Sequence, residues 1–229
     1  MINNIRKLAS PNRAQTLRRF FKTGKGQYGE GDKFLGLTVP QCRRIAKKAT
    51  VVNFVAIAKL LRSKYHEERL IALLILTYRF EKSADRARKR IFDFYLKNTE
   101  WVNNWDLVDL SSYKIVGEYL LGKPRRILYR LAKSKNIWER RIAIISTLAF
   151  IRQEQYADTL KIAKILLSDK HDLIHKATGW MLREMGKRFE AGLVEFLNQN
   201  AARMPRTTLR YAIERFPEKQ RKQYLAIGK

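Results

Sequence analysis

Apolar residues recur at intervals of three and four along most of the chain, which is the spacing of one face of an α-helix. Two stripes show it best: Leu70, Leu73, Leu74 and Thr77 form the first, and Ile142, Ile145, Leu148 and Ala149 form the second. The stretch from Gln41 to Val116 contains neither proline nor glycine, so its helices must be joined by short polar turns and not by tight β-hairpins. No clean alternation of apolar and polar residues is found. The pattern therefore predicts an all-α fold.

The helical segments also resemble one another at a period of about 36 residues. EERLIALLIL (67–76) matches ERRIAIISTL (139–148) at a separation of 72, and HKATGWML (175–182) matches RRIAIIST (140–147) at 35. Helix-pair repeats of the HEAT or armadillo kind run slightly longer and stack into a solenoid. We therefore expect a single HEAT-like repeat domain over residues 1–229, built as a curved solenoid of antiparallel helix pairs.

The repeat places several polar and aromatic residues in phase. Steps of about 36 from Arg69 reach Trp105, Arg141 and Lys176, and corresponding positions of stacked repeats lie side by side. Asp109 follows Trp105 by four residues and shares its helical face, and Trp180 follows Lys176 by the same step. We expect Asp109, the two tryptophans and Arg141 to meet in one concave groove.

The charge of the chain indicates its partner. Lys and Arg number 48 and Asp and Glu number 21, which leaves a net charge of +27 with a sequence pI near 10.4. The excess is spread over the whole sequence, as in a long surface that follows a phosphate backbone. An anionic membrane surface is the competing partner, but no single basic helix with a bulky apolar face stands out. We therefore expect a long basic surface that binds nucleic acid.

Cysteine content and apolar runs indicate the compartment. Cys42 is the only cysteine, so an internal disulfide is excluded, and the chain does not open with a signal peptide. Its longest apolar runs are too short to cross a bilayer. We expect a cytoplasmic, nucleoid-associated protein that works as a monomer.

The segment WVNNWDLVDLSSY (101–113) contains the candidate catalytic acid. One interpretation has Trp101 and Trp105 in the core, with Asp106 and Asp109 as caps of the helix that they begin. The other places Trp105 and Asp109 in a site. Asp109 lies well inside the predicted helix, where capping is weak, and the surrounding positive charge favours its ionised form.

Two later segments offer further candidates. In NIWERRIAI (136–144) Asn136 is predicted to cap a helix with Glu139 as its return partner. Arg140 and Arg141 are either simply solvated or placed to bind phosphate in bidentate fashion.

In DLIHKATGWMLREMGK (172–187), Asp172 is the predicted cap. Gly179 in mid-helix costs about 1 kcal/mol relative to alanine. It therefore indicates close approach of another helix or of a ligand. The following Trp180 belongs either to the core or to a site.

Two motifs fail on their context. His171 and His175 have the spacing of a zinc helix but lack the glutamate and a third ligand, so we expect no metal. Gly24 to Gly29 matches GxGxxG but follows no strand and opens no helix, so we expect no dinucleotide or other cofactor. This loop is instead predicted to be flexible and to carry Tyr28 towards a DNA backbone.

Four segments together resemble the AlkD-like DNA alkylation repair glycosylases: GEGDKFLGLTVP (29–40), WVNNWDLVDL (101–110), SKNIWERRIAI (134–144) and HKATGWMLRE (175–184). They follow the order of that family across nearly the whole chain. The resemblance implies a curved solenoid of HEAT-like helix pairs that cradles double-stranded DNA in a concave basic groove. It also implies base excision repair, by hydrolysis of the N-glycosidic bond of cationic N3- or N7-alkylated purines such as 3-methyladenine and 7-methylguanine.

The resemblance further implies roles for individual residues. Asp109 matches the catalytic aspartate, Trp105 and Trp180 match tryptophans of the catalytic site, and Arg141 and Tyr28 match DNA-binding residues. The family contacts the backbone of the lesion and leaves the base largely stacked. A non-catalytic HEAT-repeat protein that recognises damaged or branched DNA is the alternative function, and a scaffold for an acidic protein is a third.

Overall fold

The structure is a computed structural model, and it describes residues 5–227. Its first helices are α1 (Pro11–Phe20), α2 (Val39–Lys48), α3 (Phe54–Leu61), α4 (His66–Glu81), α5 (Asp85–Lys97), α6 (Trp105–Ser112) and α7 (Arg126–Ala132). They continue with α8 (Ile137–Ser146), α9 (Leu148–Arg152), α10 (Ala157–Leu166), α11 (Asp172–Gly186), α12 (Glu190–Asn200), α13 (Arg206–Ala212) and α14 (Glu218–Ala226). Residues 5–227 contain no β-strand, only an isolated bridge between Lys33 and Tyr65. The predicted all-α class is confirmed.

Five helix pairs repeat along the chain: α3 with α4, α5 with α6, α7 with α8, α10 with α11, and α12 with α13. Short connections separate the members of each pair, and α3 packs on α4, α7 on α8 and α10 on α11. The second helices begin at residues 66, 105, 137, 172 and 206, at intervals of 39, 32, 35 and 34. These intervals agree with the predicted period of about 36 residues and with the predicted helix-pair repeats.

The chain divides into two compact units, Met1–Ile115 and Val116–Lys229, and each has a central helix. In the first unit α4 packs against α2, α3 and α6, and in the second unit α11 packs against α8, α10, α12 and α13. A short π-helical segment, Tyr113–Gly117, follows α6 and contains the division. The single domain over residues 1–229 stays a prediction.

Helix α4 is buried on nearly all sides. The predicted stripe from Leu70 to Thr77 lies in the core, but so do the intervening residues, including Ile71 and Ile75. The buried surface of α4 is therefore wider than the single predicted stripe, because neighbouring helices cover α4 on more than one face.

The second predicted stripe does not lie on one helix. Helix α8 ends at Ser146, and α9 begins at Leu148. The hydroxyl of Thr147 between them donates a hydrogen bond of 2.7 Å to the carbonyl oxygen of Ile144. The backbone thus turns at Thr147 although the apolar pattern continues through it.

The predicted caps are partly right. Asn136 precedes α8, and its Oδ1 accepts a hydrogen bond of 2.9 Å from the backbone N–H of Trp138. At α11 the cap is His171, whose Nδ1 accepts from the N–H of Leu173 at 3.1 Å, and not Asp172 as predicted. Asp172 is the first residue inside that helix.

Gly179 lies where α11 crosses α13. A Cβ atom at this position would stand 2.5 Å from both the carbonyl oxygen of Thr208 and the Cβ of Tyr211. The predicted close approach is therefore that of another helix, and glycine is needed because no side chain fits between the two backbones.

Within residues 5–227, no helix combines the length and the apolar character that a membrane span requires.

Candidate functional site

Helix α6 carries Trp105 and Asp109 one turn apart. Asn104 precedes the helix, and its Oδ1 accepts a hydrogen bond of 2.8 Å from the backbone N–H of Trp105. The cap position thus belongs to Asn104 and not to Asp106 or Asp109, although Oδ1 of Asp106 accepts a hydrogen bond of 2.8 Å from the backbone N–H of Leu107 in the first turn. Asp106 is buried in the first turn, whereas Asp109 is half-buried in the second.

The indole of Trp105 lies against the loop of residues 21–38, which we call the Tyr28 loop. Its Nε1 donates a hydrogen bond of 3.3 Å to the Tyr28 hydroxyl, and that hydroxyl donates one of 3.5 Å to the carbonyl oxygen of Phe20. The Phe21 ring stacks on the indole at 5.2 Å between centroids, and the Phe20 ring meets it edge to face at 5.9 Å. Two residues that the sequence assigns to the site, Tyr28 and Trp105, therefore contact each other.

A second layer of rings lies behind Phe21. The imidazole of His66 is 4.8 Å from the Phe21 ring and 4.7 Å from the Phe34 ring, between centroids. Phe21 and Phe34 also stack on each other at 5.1 Å. All three side chains are buried, so the indole of Trp105 stands on an ordered aromatic base.

His66 links helix α6 to the Tyr28 loop. Its Nε2 is 2.8 Å from the Asp106 carboxylate, and its Nδ1 is 3.4 Å from Oδ2 of Asp32. Oδ1 of Asp32 accepts a hydrogen bond of 2.6 Å from Arg69, and Oδ2 accepts one of 3.2 Å from the side-chain amide of Asn104. These five residues form what we call the buried charge cluster.

The cluster shifts the pKa of His66 and of Asp32. Burial alone would lower the pKa of His66, but the negative charge of Asp106 and the hydrogen bonds to Asp106 and Asp32 raise it to about 9. Burial would raise the pKa of Asp32, but the hydrogen bond from His66 and the charge of Arg69 hold it below its usual value. At neutral pH His66 is therefore an imidazolium that donates from both ring nitrogens.

Glu67, the neighbour of His66, holds the far end of the Tyr28 loop. Its buried carboxylate accepts hydrogen bonds of 2.8, 2.7 and 3.1 Å from the backbone N–H groups of Leu35, Gly36 and Leu37. The Tyr28 loop is thus anchored at several points, and the flexibility predicted for residues 24–29 within it stays a prediction. The anchors come from the first turn of α4 and the start of α6.

Asp109 lies in the second turn of α6, beside buried polar groups. Burial raises the pKa of the Tyr95 phenol, and the negative charge of Asp109 contributes to the same shift. The Tyr95 hydroxyl forms a hydrogen bond of 2.9 Å with the hydroxyl of Ser111 on α6. Asp109 as a whole residue is half-buried.

Arg141 lies on α8 in the second unit. Only 5% of its surface is exposed, and its Nη1 donates a hydrogen bond of 2.5 Å to the carbonyl oxygen of Leu173. Arg140 instead forms an ion pair of 2.6 Å with Asp169. The interpretation of both arginines as simply solvated is therefore wrong.

Trp180 lies on α11 of the second unit and is half-buried. Its Nε1 donates a hydrogen bond of 3.1 Å to the Glu184 carboxylate. The five predicted site residues are thus distributed between the units: Tyr28, Trp105 and Asp109 belong to the first, and Arg141 and Trp180 belong to the second. One groove lined by all five stays a prediction.

His66, Asp32 and Phe20 are not among the residues that the sequence predicts for the site. Four consecutive ionisable residues, His66 to Arg69, open an otherwise apolar helix, and this is the signal for a buried polar cluster. Adjacent phenylalanines at 20 and 21, between two arginines and a lysine, are the signal for an aromatic residue in a basic surface.

Across residues 5–227, no group of three or more His, Cys, Asp and Glu side chains is arranged to hold a metal ion. The two histidines of the zinc-like spacing contact the backbone. His171 caps α11, and Nε2 of His175 lies 2.5 Å from the carbonyl oxygen of Asp169.

Comparisons with known proteins agree with the fold. A solved structure described as a predicted DNA alkylation repair enzyme from Enterococcus faecalis superposes with a TM-score of 0.72, covering 92% of this chain and 97% of that chain. The two sequences are 15% identical, so this likeness shows the fold alone. No curated protein matches the sequence.

A family model described as "DNA alkylation repair enzyme" matches residues 1–216. Because this match covers nearly the whole sequence, the chain belongs to the DNA alkylation repair enzyme family.

Proposed function

We propose that the protein is a DNA glycosylase that hydrolyses the N-glycosidic bond of cationic N3- or N7-alkylated purines in duplex DNA. Membership of the family supports a role in DNA repair. The observation that carries the finer proposal is the position of Asp109, a half-buried residue one turn after Trp105 on a helix fixed by the buried charge cluster.

The reaction breaks the bond between C1′ of the deoxyribose and the purine nitrogen. A purine alkylated at N3 or N7 already carries a positive charge, so it accepts the bonding electron pair and leaves without a general acid. The sugar becomes an oxocarbenium-like cation. A water molecule then adds to C1′ and releases a proton, which leaves an abasic site and the free base.

Asp109 is the residue that stabilises the sugar cation and orients the attacking water. Two unit charges at about 4 Å interact by roughly 4 kcal/mol at an effective dielectric constant of 20. At about 1.36 kcal/mol for each factor of ten, this corresponds to roughly a thousandfold in rate. We therefore place the catalytic centre at Asp109.

The remaining residues bind the nucleotide. Trp105 and Trp180 offer π faces to the cationic nucleotide, each for about 0.5–2 kcal/mol. We assign Arg141 to a phosphate near the lesion; because only 5% of its surface is exposed and its Nη1 donates to the carbonyl oxygen of Leu173, the guanidinium must become more exposed to make this contact. Tyr28 contacts the DNA backbone from the loop that holds Trp105.

The mechanism is tested by comparing the release of cationic purines with that of a neutral purine. We expect release of 7-methylguanine and 3-methyladenine from duplexes that each contain one such base, measured as abasic sites cleaved by alkali. We expect no release of hypoxanthine, because this neutral purine leaves only when an acid protonates it. Equal release of hypoxanthine would contradict the mechanism. Tight duplex binding without release of either cationic base would favour the non-catalytic alternative.

A further inference from the structure

The Phe20 ring is an exposed aromatic surface next to Trp105. It ends α1 and is 61% exposed, yet it meets Phe21 edge to face at 5.1 Å and Trp105 at 5.9 Å. Isolated exposed phenylalanines are ordinary on protein surfaces. This one directly extends the aromatic group to which Trp105 and Tyr28 belong.

The segment around Phe20 is strongly basic. Residues 18–25 contain four cations and no acid, and all four cations are exposed: Arg18, Arg19, Lys22 and Lys25. Aromatic rings between cations are typical of surfaces that bind single-stranded or unstacked nucleic acid. There the cations contact the phosphates and each ring stacks on a base.

The backbone holds this segment in one conformation. The Thr23 hydroxyl donates a hydrogen bond of 3.2 Å to the carbonyl oxygen of Arg18, and the N–H of Gly29 donates one of 3.2 Å to that of Lys22. A Cβ atom on Gly29 would stand 2.4 Å from the carbonyl oxygen of Phe21, so the loop packs tightly on the end of α1. The Phe20 ring itself is held by its contacts with the Phe21 and Trp105 rings, so it loses little conformational freedom when it binds.

We propose that Phe20 is a further DNA-contacting residue, whose exposed face stacks on a nucleobase that is displaced from the duplex beside the nucleotide bound at Trp105. The proposal rests on the proposed function for its ligand, duplex DNA. In this role Phe20 recognises base-pair steps at which the stacking of the bases is weakened. Phenylalanine wedges act on duplex DNA at such unstacked steps.

A membrane surface is the other ligand for an aromatic ring among cations, and the observations favour DNA. Helices that lie on membranes present a broad apolar face. Helix α1 has the sequence PNRAQTLRRF, in which Leu17 and Phe20 are the only large apolar residues. The contact with Trp105 also joins the ring to the site of a DNA repair family.

The test compares the binding of two duplexes, one fully paired and one with a single bulged 2-aminopurine. We expect the parent protein to prefer the bulged duplex and to change the fluorescence of its 2-aminopurine. Phe20→Ala should lose about 5- to 150-fold in affinity for the bulged duplex, the equivalent of about 1–3 kcal/mol per stacked base. Phe20→Trp should retain the preference, and the affinity for the paired duplex should change little.

The matched control is Phe189→Ala. Phe189 is also exposed, lies next to Lys187 and Arg188, and stacks on Tyr156 in the second unit. We expect this variant to bind both duplexes like the parent. Equal loss in the two variants would indicate a general apolar effect and overturn the assignment of Phe20.

Three further outcomes are decisive. Parental preference for the bulged duplex in Phe20→Ala would overturn the proposal, even if base release shows the proposed glycosylase activity to be right. Loss of that preference in a protein that releases no base would support the role of Phe20 and contradict the glycosylase activity. Loss of sedimentation with phosphatidylcholine–phosphatidylserine vesicles, with DNA binding unchanged, would assign the ring to a membrane surface.

Discussion

Single residues fix the geometry of the candidate site through a buried ion pair. The imidazolium of His66 stands between Asp106, on the helix that carries Asp109, and Asp32, on the loop that carries Tyr28. Removing one member of a buried charge pair leaves the other uncompensated, at a cost of about 3–5 kcal/mol. The same contacts that stabilise the first unit therefore hold Trp105 against Tyr28.

The pH dependence of stability tests this link. The pKa of His66 is about 9 in the folded protein and about 6.5 in the unfolded chain, so the folded state binds the proton more tightly. The resulting stabilisation, about 3 kcal/mol, is fully present below pH 6.5 or so and is lost as the pH rises through about 9. We expect the free energy of unfolding, from urea denaturation at a series of pH values, to fall over this interval in the parent and much less in His66→Gln.

The control for this titration is His171→Asn, which keeps a side chain able to cap α11. This variant should show the parental fall between about pH 6.5 and 9. An equal fall in His66→Gln would mean that another group titrates.

Part of the site was predictable at the level of residues. Trp105 and Asp109 are four residues apart in one helix, and helical spacing alone predicts their shared face. The contact of Tyr28 with Trp105 joins residues 77 apart and depends on how the Tyr28 loop is anchored. Likewise, the bond of Arg141 to the carbonyl oxygen of Leu173 depends on the packing of α8 on α11, which no local pattern encodes.

Helices are arranged by close contacts between backbones as well as by apolar stripes. Gly179 allows α11 to reach Thr208 on α13, and this is the contact that the mid-helix glycine predicts. The break at Thr147 was not predictable from the pattern, because Ile145, Leu148 and Ala149 continue the helical spacing across it. The spacing of apolar residues indicates which residues are buried. A turn between two buried segments leaves that spacing unchanged.

Replacing Gly179 by alanine tests the contact between α11 and α13. The new Cβ would lie 2.5 Å from a backbone oxygen, and overpacking of this kind costs about 1–3 kcal/mol. The gain in helix propensity from glycine to alanine, about 1 kcal/mol, offsets only part of it. We expect a lower melting temperature by differential scanning calorimetry.

Gly24→Ala is the matched control, because a Cβ atom there would approach only the flexible side chain of Gln27. We expect a melting temperature close to that of the parent. An unchanged melting temperature for Gly179→Ala as well would show that the two helices separate at little cost.

The molecule as a whole combines a charge of +27 with two compact all-helical units. Its charge predicts DNA affinity that falls with salt by about 0.9 in log K per unit of log salt for each neutralised phosphate. One carboxylate changes the total charge that binds DNA very little, whereas it dominates the stabilisation of the sugar cation. Binding and catalysis are therefore separable by a substitution at Asp109.

The most direct test of Asp109 as the catalytic carboxylate is the single-turnover rate of 7-methylguanine release. The rate is compared between Asp109→Asn and the parent, each bound to the same duplex. Asp93→Asn, an exposed acid on α5, is the control and should release base at the parental rate. We expect Asp109→Asn to keep duplex affinity and its salt dependence but to release base about two to three decades more slowly. Release by Asp109→Asn at the parental rate would show that Asp109 is not the catalytic carboxylate.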